Sequence, residues 1–201
     1  MIEMLINGGW MMIPIILSSL LSVAVVIERF RALINQPLTQ ESDRILALIK
    51  QEKFTDALQL AEKYSCPINR VLGEGIMSRG QGPDKAMEAA AMIEIASLKK
   101  GLPALDTIIT LAPLLGLLGT IIGMIDSFGI MAQSGIGQPH AVTGGVAEAL
   151  ICTAAGIFVA VITLVPYNFF LTKIEQATES IETYATKAQA ALSSSDARPT
   201  T

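Results

Sequence analysis

The sequence predicts an all-α membrane protein, with three transmembrane helices and a helical domain between the first two. Of its 201 residues, 51% are hydrophobic and 16% are charged. A soluble domain carries about 25% charged residues. The charges are also unevenly spread, because the runs 4–27, 107–125 and 149–172 contain no Asp, Glu, Lys or Arg. A bilayer core about 30 Å thick needs about 20 apolar residues of helix, so each run is long enough to span it.

The composition also argues against several classes of function. The formal net charge of −4 offers no basic face for nucleic acid. One histidine and two distant cysteines, Cys66 and Cys152, give no metal-like spacing. The sequence holds no evident Ser-His-Asp set, phosphate loop or paired-carboxylate site. We therefore expect neither an enzyme nor a bound cofactor or metal.

The three spans are placed at 10–29, 105–128 and 143–168. The first run is not a signal peptide, because it has no basic n-region and is longer than an h-region. Glu28 and Arg29 also follow it where a cleavage site would stand. Residues 1–29 are accordingly expected to form an external N-terminus and a retained first span.

The basic residues predict the orientation, because they concentrate on the cytoplasmic side of membranes. All 14 fall within 29–31, 44–100 and 173–198. This distribution places the N-terminus on the external, periplasmic side and the C-terminus in the cytoplasm. The remaining segments follow from it: a cytoplasmic helical domain at 30–104, a short external loop at 129–142, and a cytoplasmic helix with a disordered tail at 169–201.

The polar segments show helical periodicity. An apolar stripe runs through 41–63, and a second helix is expected from Pro83 to Leu98, after the break at Gly80–Pro83. The spacing predicts that the third span continues as a polar helix to Leu192, with an apolar stripe of Ile174, Ala177, Ile181, Tyr184 and Ala188. Gly101 and Pro103 mark a joint before the second span, either a kink or a full break.

Small residues in the second and third spans predict close helix packing. Gly116, Gly119 and Gly123 recur at intervals of three and four residues, and Gly144 and Gly156 lie in the third span. Such small-residue spacing lets a neighbouring backbone approach closely. Three spans make a thin bundle by themselves, so the pattern favours a homo-oligomer.

Glu148 lies about one turn inside the third span. A charged side chain near the centre of a span costs about 2.5–3.5 kcal/mol on insertion scales, and less near its end. Desolvation penalises the charged form, so this carboxyl could exchange protons as a channel group must. The alternative is a glutamate that reaches back to water at the membrane edge.

Four other polar residues accompany it. The hydroxyls of Thr120 and Thr153 could hold water or relay hydrogen bonds, or could bond back to their own helix. Thr153 lies about 140° from Glu148 around the helix, so the two share a cavity only on a broad face. Asp106 and Asp126 bracket the second span, either as interfacial charges or as residues of a pore mouth.

Two motifs carry a family resemblance: LAPLLGLLGTIIGMIDSF at 111–128 and GGVAEALICTAAGIFVAVITLVPYN at 144–168. Together they resemble the signature of the MotA/TolQ/ExbB proton channel family. The three-span layout is similar to ExbB and TolQ and unlike the four-span MotA. By the resemblance, Thr120, Glu148 and Thr153 match the family's pore threonine, pore glutamate and following threonine.

The resemblance implies a pentameric ring in the bacterial inner membrane, with spans two and three around a central pore. A dimer of a single-span partner, of the ExbD or TolR type, would supply the membrane aspartate that carries the proton. Force would then pass to a TonB- or TolA-like protein. An ExbB-type motor subunit is the leading interpretation; a TolQ-type subunit, a passive scaffold and a small-solute channel are the alternatives.

Overall fold

The computed structural model describes residues 9–34, 40–134 and 139–196. In these ranges the chain forms seven helices: α1 (Met12–Ile34), α2 (Gln40–Lys50), α3 (Phe54–Lys63), α4 (Pro67–Met77), α5 (Pro83–Lys99), α6 (Leu102–Ser134) and α7 (Pro139–Asp196). They divide into two compact units. The apolar unit comprises the chain up to Phe30 and Gly101–Phe170, and the polar unit comprises Arg31–Lys100 and the chain from Leu171.

The apolar unit confirms the expectation of three long apolar helices. Helices α1, α6 and the first part of α7 are long and apolar enough to cross a membrane. Pro113 and Pro166 both lie inside continuous helices, and Pro14 lies near the start of α1. The core of this unit joins the start of α1 to α6 and α7, through Met11, Met12, Ile15, Ile108, Ala112, Cys152 and Val159.

The joint before the second span is a full break. Helix α5 ends at Lys99, and α6 begins at Leu102. Gly101 between them has φ +84°, a left-handed conformation that glycine adopts without the steric cost of a Cβ atom. A Cβ atom at Gly101 would also stand 3.2 Å from Nε of Arg29, whose side chain is buried at the end of α1.

The polar unit has a side-chain core in which α7 takes part. All five residues of the predicted stripe on α7 are buried, which confirms it, and Leu192 extends it: the buried set is Ile174, Ala177, Ile181, Tyr184, Ala188 and Leu192. The other walls are apolar residues of α2 to α5, such as Ile45, Ile68, Leu72 and Met87. The spacing of three and four residues therefore predicted the packed face of this helix correctly.

Two local features of the polar unit differ from the prediction made from the sequence. The stripe at 41–63 belongs to two helices, because the backbone turns at Gln51–Lys53, where Glu52 has φ +61°. This turn has neither glycine nor proline, so its signal in the sequence is weak. Helix α4, Pro67–Met77, was not anticipated, although Pro67 begins it as a first-turn proline.

Two polar contacts tie the helices of this unit together. The hydroxyl of Tyr184 on α7 donates to Oδ1 of Asp43 on α2 at 2.6 Å, and this bond raises the pKa of Tyr184 to about 12. The guanidinium of Arg70 on α4 donates from Nε to Oε1 of Glu94 on α5 at 2.6 Å, and a second bond makes the pair bidentate. That pairing raises the pKa of Arg70 further above its ordinary value.

The helices extend into segments that were expected to be irregular. Helix α6 continues to Ser134 and α7 starts at Pro139, inside the predicted loop 129–142. The backbone of His140, expected in that loop, is part of α7. Helix α7 also continues to Asp196, beyond the expected start of the tail at Ser193. Residues 1–8, 135–138 and 197–201 lie outside the described residues, and the membrane sidedness of every segment stays a prediction.

Candidate ion pathway around Glu148

Glu148 lies near the start of α7, half-buried, and lines a small cavity of about 20 Å³ within the apolar unit. The cavity is built from two helices and the turn before a third: α6 supplies Gly119, Ile122, Gly123 and Asp126, α7 supplies Glu148 and Cys152, and the turn ahead of α1 supplies Trp10 and Met11. Cys152 follows Glu148 by one helical turn, which is why the two share a face. The carboxylate is therefore enclosed among helices of its own chain.

Asp126 brings a second carboxylate to this cavity. It lies 22 positions before Glu148 in the sequence, and its own side chain is largely exposed. The cavity volume of about 20 Å³ is enough for one water molecule. Carboxylates accept hydrogen bonds when ionised and donate when protonated, so both side chains belong to a class that can bind such a water molecule.

The two predicted pore threonines do not line this cavity. Thr120 Oγ1 donates to the backbone oxygen of Leu117 in its own helix at 2.6 Å. Thr153 Oγ1 donates at 3.2 Å to the backbone oxygen of Gly116, and this bond links α7 to α6. In this protomer Thr153 thus secures the contact between the helices, whereas Thr120 shows the back-bond that is ordinary for threonine in helices.

Asp106 lies at the other end of α6 from Asp126. It is exposed, and its backbone oxygen accepts the hydroxyl of Thr110 at 3.2 Å. Twenty residues of helix place the two aspartates about 30 Å apart. The structure therefore separates Asp106 from the cavity and associates only Asp126 with Glu148.

The glycines of α6 bring its backbone against α7. A Cβ atom at Gly116 would stand 2.9 Å from the oxygen of Cys152, and one at Gly119 would stand 2.7 Å from Cβ of Cys152. Both distances are too short for ordinary contacts, so a larger residue at either position would force the helices to shift. The glycine spacing thus corresponds to a face on which two backbones meet.

The glycines of α7 complete this face with one difference from the sequence. A Cβ atom at Gly156 would stand 3.2 Å from Cα of Gly116 and closer still to the oxygen of Ala112. Gly144 has nothing within 4 Å of its Cβ position, and its neighbour Gly145 faces Ser127 and Gly123 instead. Adjacent helical residues point about 100° apart, so only one member of the Gly144–Gly145 pair can face α6.

Sequence reasoning missed the contribution of α1. Gly9 packs against the Glu148 carboxylate, and Trp10 and Met11 line the cavity. Deeper in the unit, the Ser22 and Thr163 hydroxyls form a buried hydrogen bond of 2.7 Å between α1 and α7. The signal for Ser22 was a polar residue inside the predicted span 10–29, whereas that for Gly9 was only a glycine immediately before this span.

Comparison with known proteins identifies the family of the chain. Residues 65–183 match the model of the MotA/TolQ/ExbB proton channel family. The biopolymer transport protein ExbB-like 3 of Synechocystis is 35% identical over 170 residues, which cover 81% of each chain.

Two further relatives align with this chain over smaller shares of their own length. ExbB of Xanthomonas campestris is 31% identical over 159 residues, 79% of this chain and 60% of its own. The Tol-Pal system protein TolQ of Pseudomonas aeruginosa is 36% identical over 112 residues, 56% of this chain and 48% of its own. With its three apolar helices, the chain is a multi-pass membrane protein that belongs to the MotA/TolQ/ExbB proton channel family.

Proposed function

We propose that this chain is the ring subunit of a proton-driven motor in the bacterial inner membrane, of the ExbB type. In this proposal an ExbD-like single-span partner occupies the ring and carries the proton, and the complex energises TonB-dependent transport across the outer membrane. The chain itself does not act as an enzyme. The N-terminus faces the periplasm and the C-terminus the cytoplasm, as the distribution of basic residues predicts.

The single observation that carries the proposal is the cavity shared by Glu148 and Asp126. Ionisable side chains within membrane spans are costly and generally mark ion or substrate pathways. Here Glu148 is half-buried, Asp126 is exposed, and both residues line a space large enough for one water molecule. We infer that protons enter from the external side at Asp126 and reach the partner by way of Glu148.

The distribution of acidic residues explains why a partner is needed. The runs 107–125 and 149–172 contain no carboxylate, so this chain has no carrier aspartate in the middle of its second or third span. One proton that crosses 100 mV releases about 2.3 kcal/mol, so mechanical work requires several protons coupled to a moving element. A partner with one membrane aspartate would supply both the carrier and the moving element.

The exposed apolar surface supports assembly into a ring. Many large apolar side chains of the apolar unit are exposed on the surface of the single chain, among them Leu114, Ile125, Leu150, Phe158 and Val165. Exposed apolar area on this scale needs lipid or protein to cover it. We propose that lipid covers part of it and that neighbouring copies in a pentamer cover the rest.

A TolQ-type role in envelope maintenance is the second candidate, because the Pseudomonas TolQ is 36% identical over the segment it shares with this chain. The two roles differ in the partner that each uses. Purification of the full chain from its native membrane, followed by mass spectrometry of the single-span protein that accompanies it, distinguishes an ExbD-like from a TolR-like partner.

Reconstitution tests the motor role itself. Vesicles that contain the chain alone should show no proton uptake above protein-free vesicles, whereas vesicles with the chain and its single-span partner should take up protons under an imposed potential. Native mass spectrometry of the same material should show five copies. Uptake by the chain alone would favour a solute or ion channel, and no uptake with the partner present would favour a passive scaffold.

A further inference from the structure

We propose that Gly9 is a positioning residue for Glu148: its backbone, immediately ahead of α1, forms the wall against which the carboxylate is held. The functional consequence rests on the proton pathway proposed above, whereas the contact itself does not. A Cβ atom at Gly9 would overlap Oε1 of Glu148 and would stand 2.9 Å from its Cδ. Glycine alone leaves room for the carboxylate at this place.

The conformation of Gly9 also fits this role. Its φ of +67° lies in the left-handed region, which glycine adopts readily and other residues rarely. Its carbonyl oxygen accepts a hydrogen bond of 3.1 Å from the backbone N–H of Met12, the first residue of α1. The position of Gly9 is therefore tied to the first turn of the helix.

The first turn of α1 is itself packed into the core of the apolar unit. Met11, Met12 and Ile15 are 5%, 3% and 1% exposed, and they belong to the same cluster as Cys152. Because Cys152 lies one turn after Glu148 on α7, the start of α1 is held at the level of the carboxylate. The backbone at Gly9 cannot retreat without opening this core, so an added side chain would have to displace Glu148.

Displacement of the carboxylate should impair proton transfer through the cavity. Gly9→Ala is expected to lower partner-dependent proton uptake by up to about 100-fold, the cost that a misplacement of about 1 Å can have at a reaction site. Gly80→Ala is the matched control, because Gly80 has φ +80° and nothing within 4 Å of its Cβ position. It also places a Cβ atom on a left-handed backbone but without a collision, and uptake should stay at the wild-type rate.

Rescue by a shorter acid separates positioning from general damage. Glu148→Asp draws the carboxylate back by one methylene and leaves space for the new methyl group. The double variant Gly9→Ala/Glu148→Asp should therefore take up protons faster than Gly9→Ala alone. No rescue, or equal uptake by Gly9→Ala and Gly80→Ala at equal membrane content, would overturn the proposal.

A thermal double-mutant cycle tests the contact without any proton measurement. Gly9→Ala should lower the melting temperature of the purified full chain in detergent, and this loss should be smaller in the Glu148→Ala background, where the backbone strain remains but no carboxylate is displaced. If Gly9→Ala does not accumulate in membranes, Glu148→Ala should restore its accumulation. Equal losses in both backgrounds, or no restoration, would contradict the contact. A confirmed cycle with unchanged uptake would contradict the proposed pathway instead.

Discussion

The two units of this protein hold their helices together in different ways. In the apolar unit α6 and α7 meet through backbone atoms, with Gly156 against Gly116. In the polar unit α7 packs through large buried side chains such as Ile181. Apolar side chains gain little by leaving lipid for another helix, so close backbone packing and hydrogen bonds replace hydrophobic burial within the membrane. Helix α7 therefore packs through backbone contacts in the apolar unit and through large side chains in the polar unit.

The largest expected effect tests the side-chain rule. Ile181 is 1% exposed in the core of the polar unit. Ile181→Ala should lower the free energy of unfolding by about 2–5 kcal/mol, because it removes buried methyl groups and leaves a cavity. Chemical denaturation of the full chain in detergent measures the loss. Gln176→Ala, at an exposed position of the same helix, is the control, and equal losses for both would contradict the assigned core face.

The next effect tests the backbone rule. Gly156→Ala places a methyl group against the oxygen of Ala112 and should destabilise the apolar unit by about 1–3 kcal/mol. Gly144→Ala meets nothing within 4 Å and should be neutral or slightly stabilising, since alanine favours helix over glycine by about 1 kcal/mol. Thermal stability of the two variants in detergent measures the contrast. The same sign for both would argue against the close approach.

A pH-dependent effect is expected in the polar unit. Tyr184→Phe removes the hydrogen bond to Asp43 and should cost about 1.5 kcal/mol near neutral pH. The folded-state pKa of about 12 exceeds the ordinary value of 10.0, so the wild-type contribution is complete below pH 10 and disappears as pH rises through 12. Unfolding free energies from pH 8 to 12 should fall less in Tyr184→Phe. Parallel curves would contradict the assignment.

The smallest expected effect concerns the hydroxyl pair inside the apolar unit. Ser22→Ala removes the 2.7 Å bond to Thr163, while Thr163 keeps its bond to the oxygen of Val159. Hydrogen bonds between membrane helices average about 0.6 kcal/mol, so a loss of that size is expected in thermal stability. Ser18→Ala is the control, because the Ser18 hydroxyl donates to the backbone oxygen of Pro14 in its own helix. A larger loss for Ser18→Ala would reverse the assignment.

The sequence predicted those features that depend on one helix at a time. Charge-free runs located the apolar helices, and spacing located the buried stripe on α7 that includes Ile181. Glu148 was identified as a candidate because a charged side chain within a membrane span is energetically costly. Contacts between helices were less accessible, because Asp126 and Gly9 are distant from Glu148 in the sequence. Which of Gly144 and Gly145 faces α6 depends on the rotation of α7 about its axis. Residue spacing predicts that rotation only to within one position.

The most direct test of the proton pathway compares wild type with Glu148→Gln, each reconstituted with the single-span partner. Glutamine keeps the size of the side chain but cannot take up a proton near neutral pH. We expect Glu148→Gln to assemble with the partner in wild-type amounts and to lose proton uptake under an imposed potential. Wild-type uptake by the correctly assembled Glu148→Gln complex would contradict this expectation.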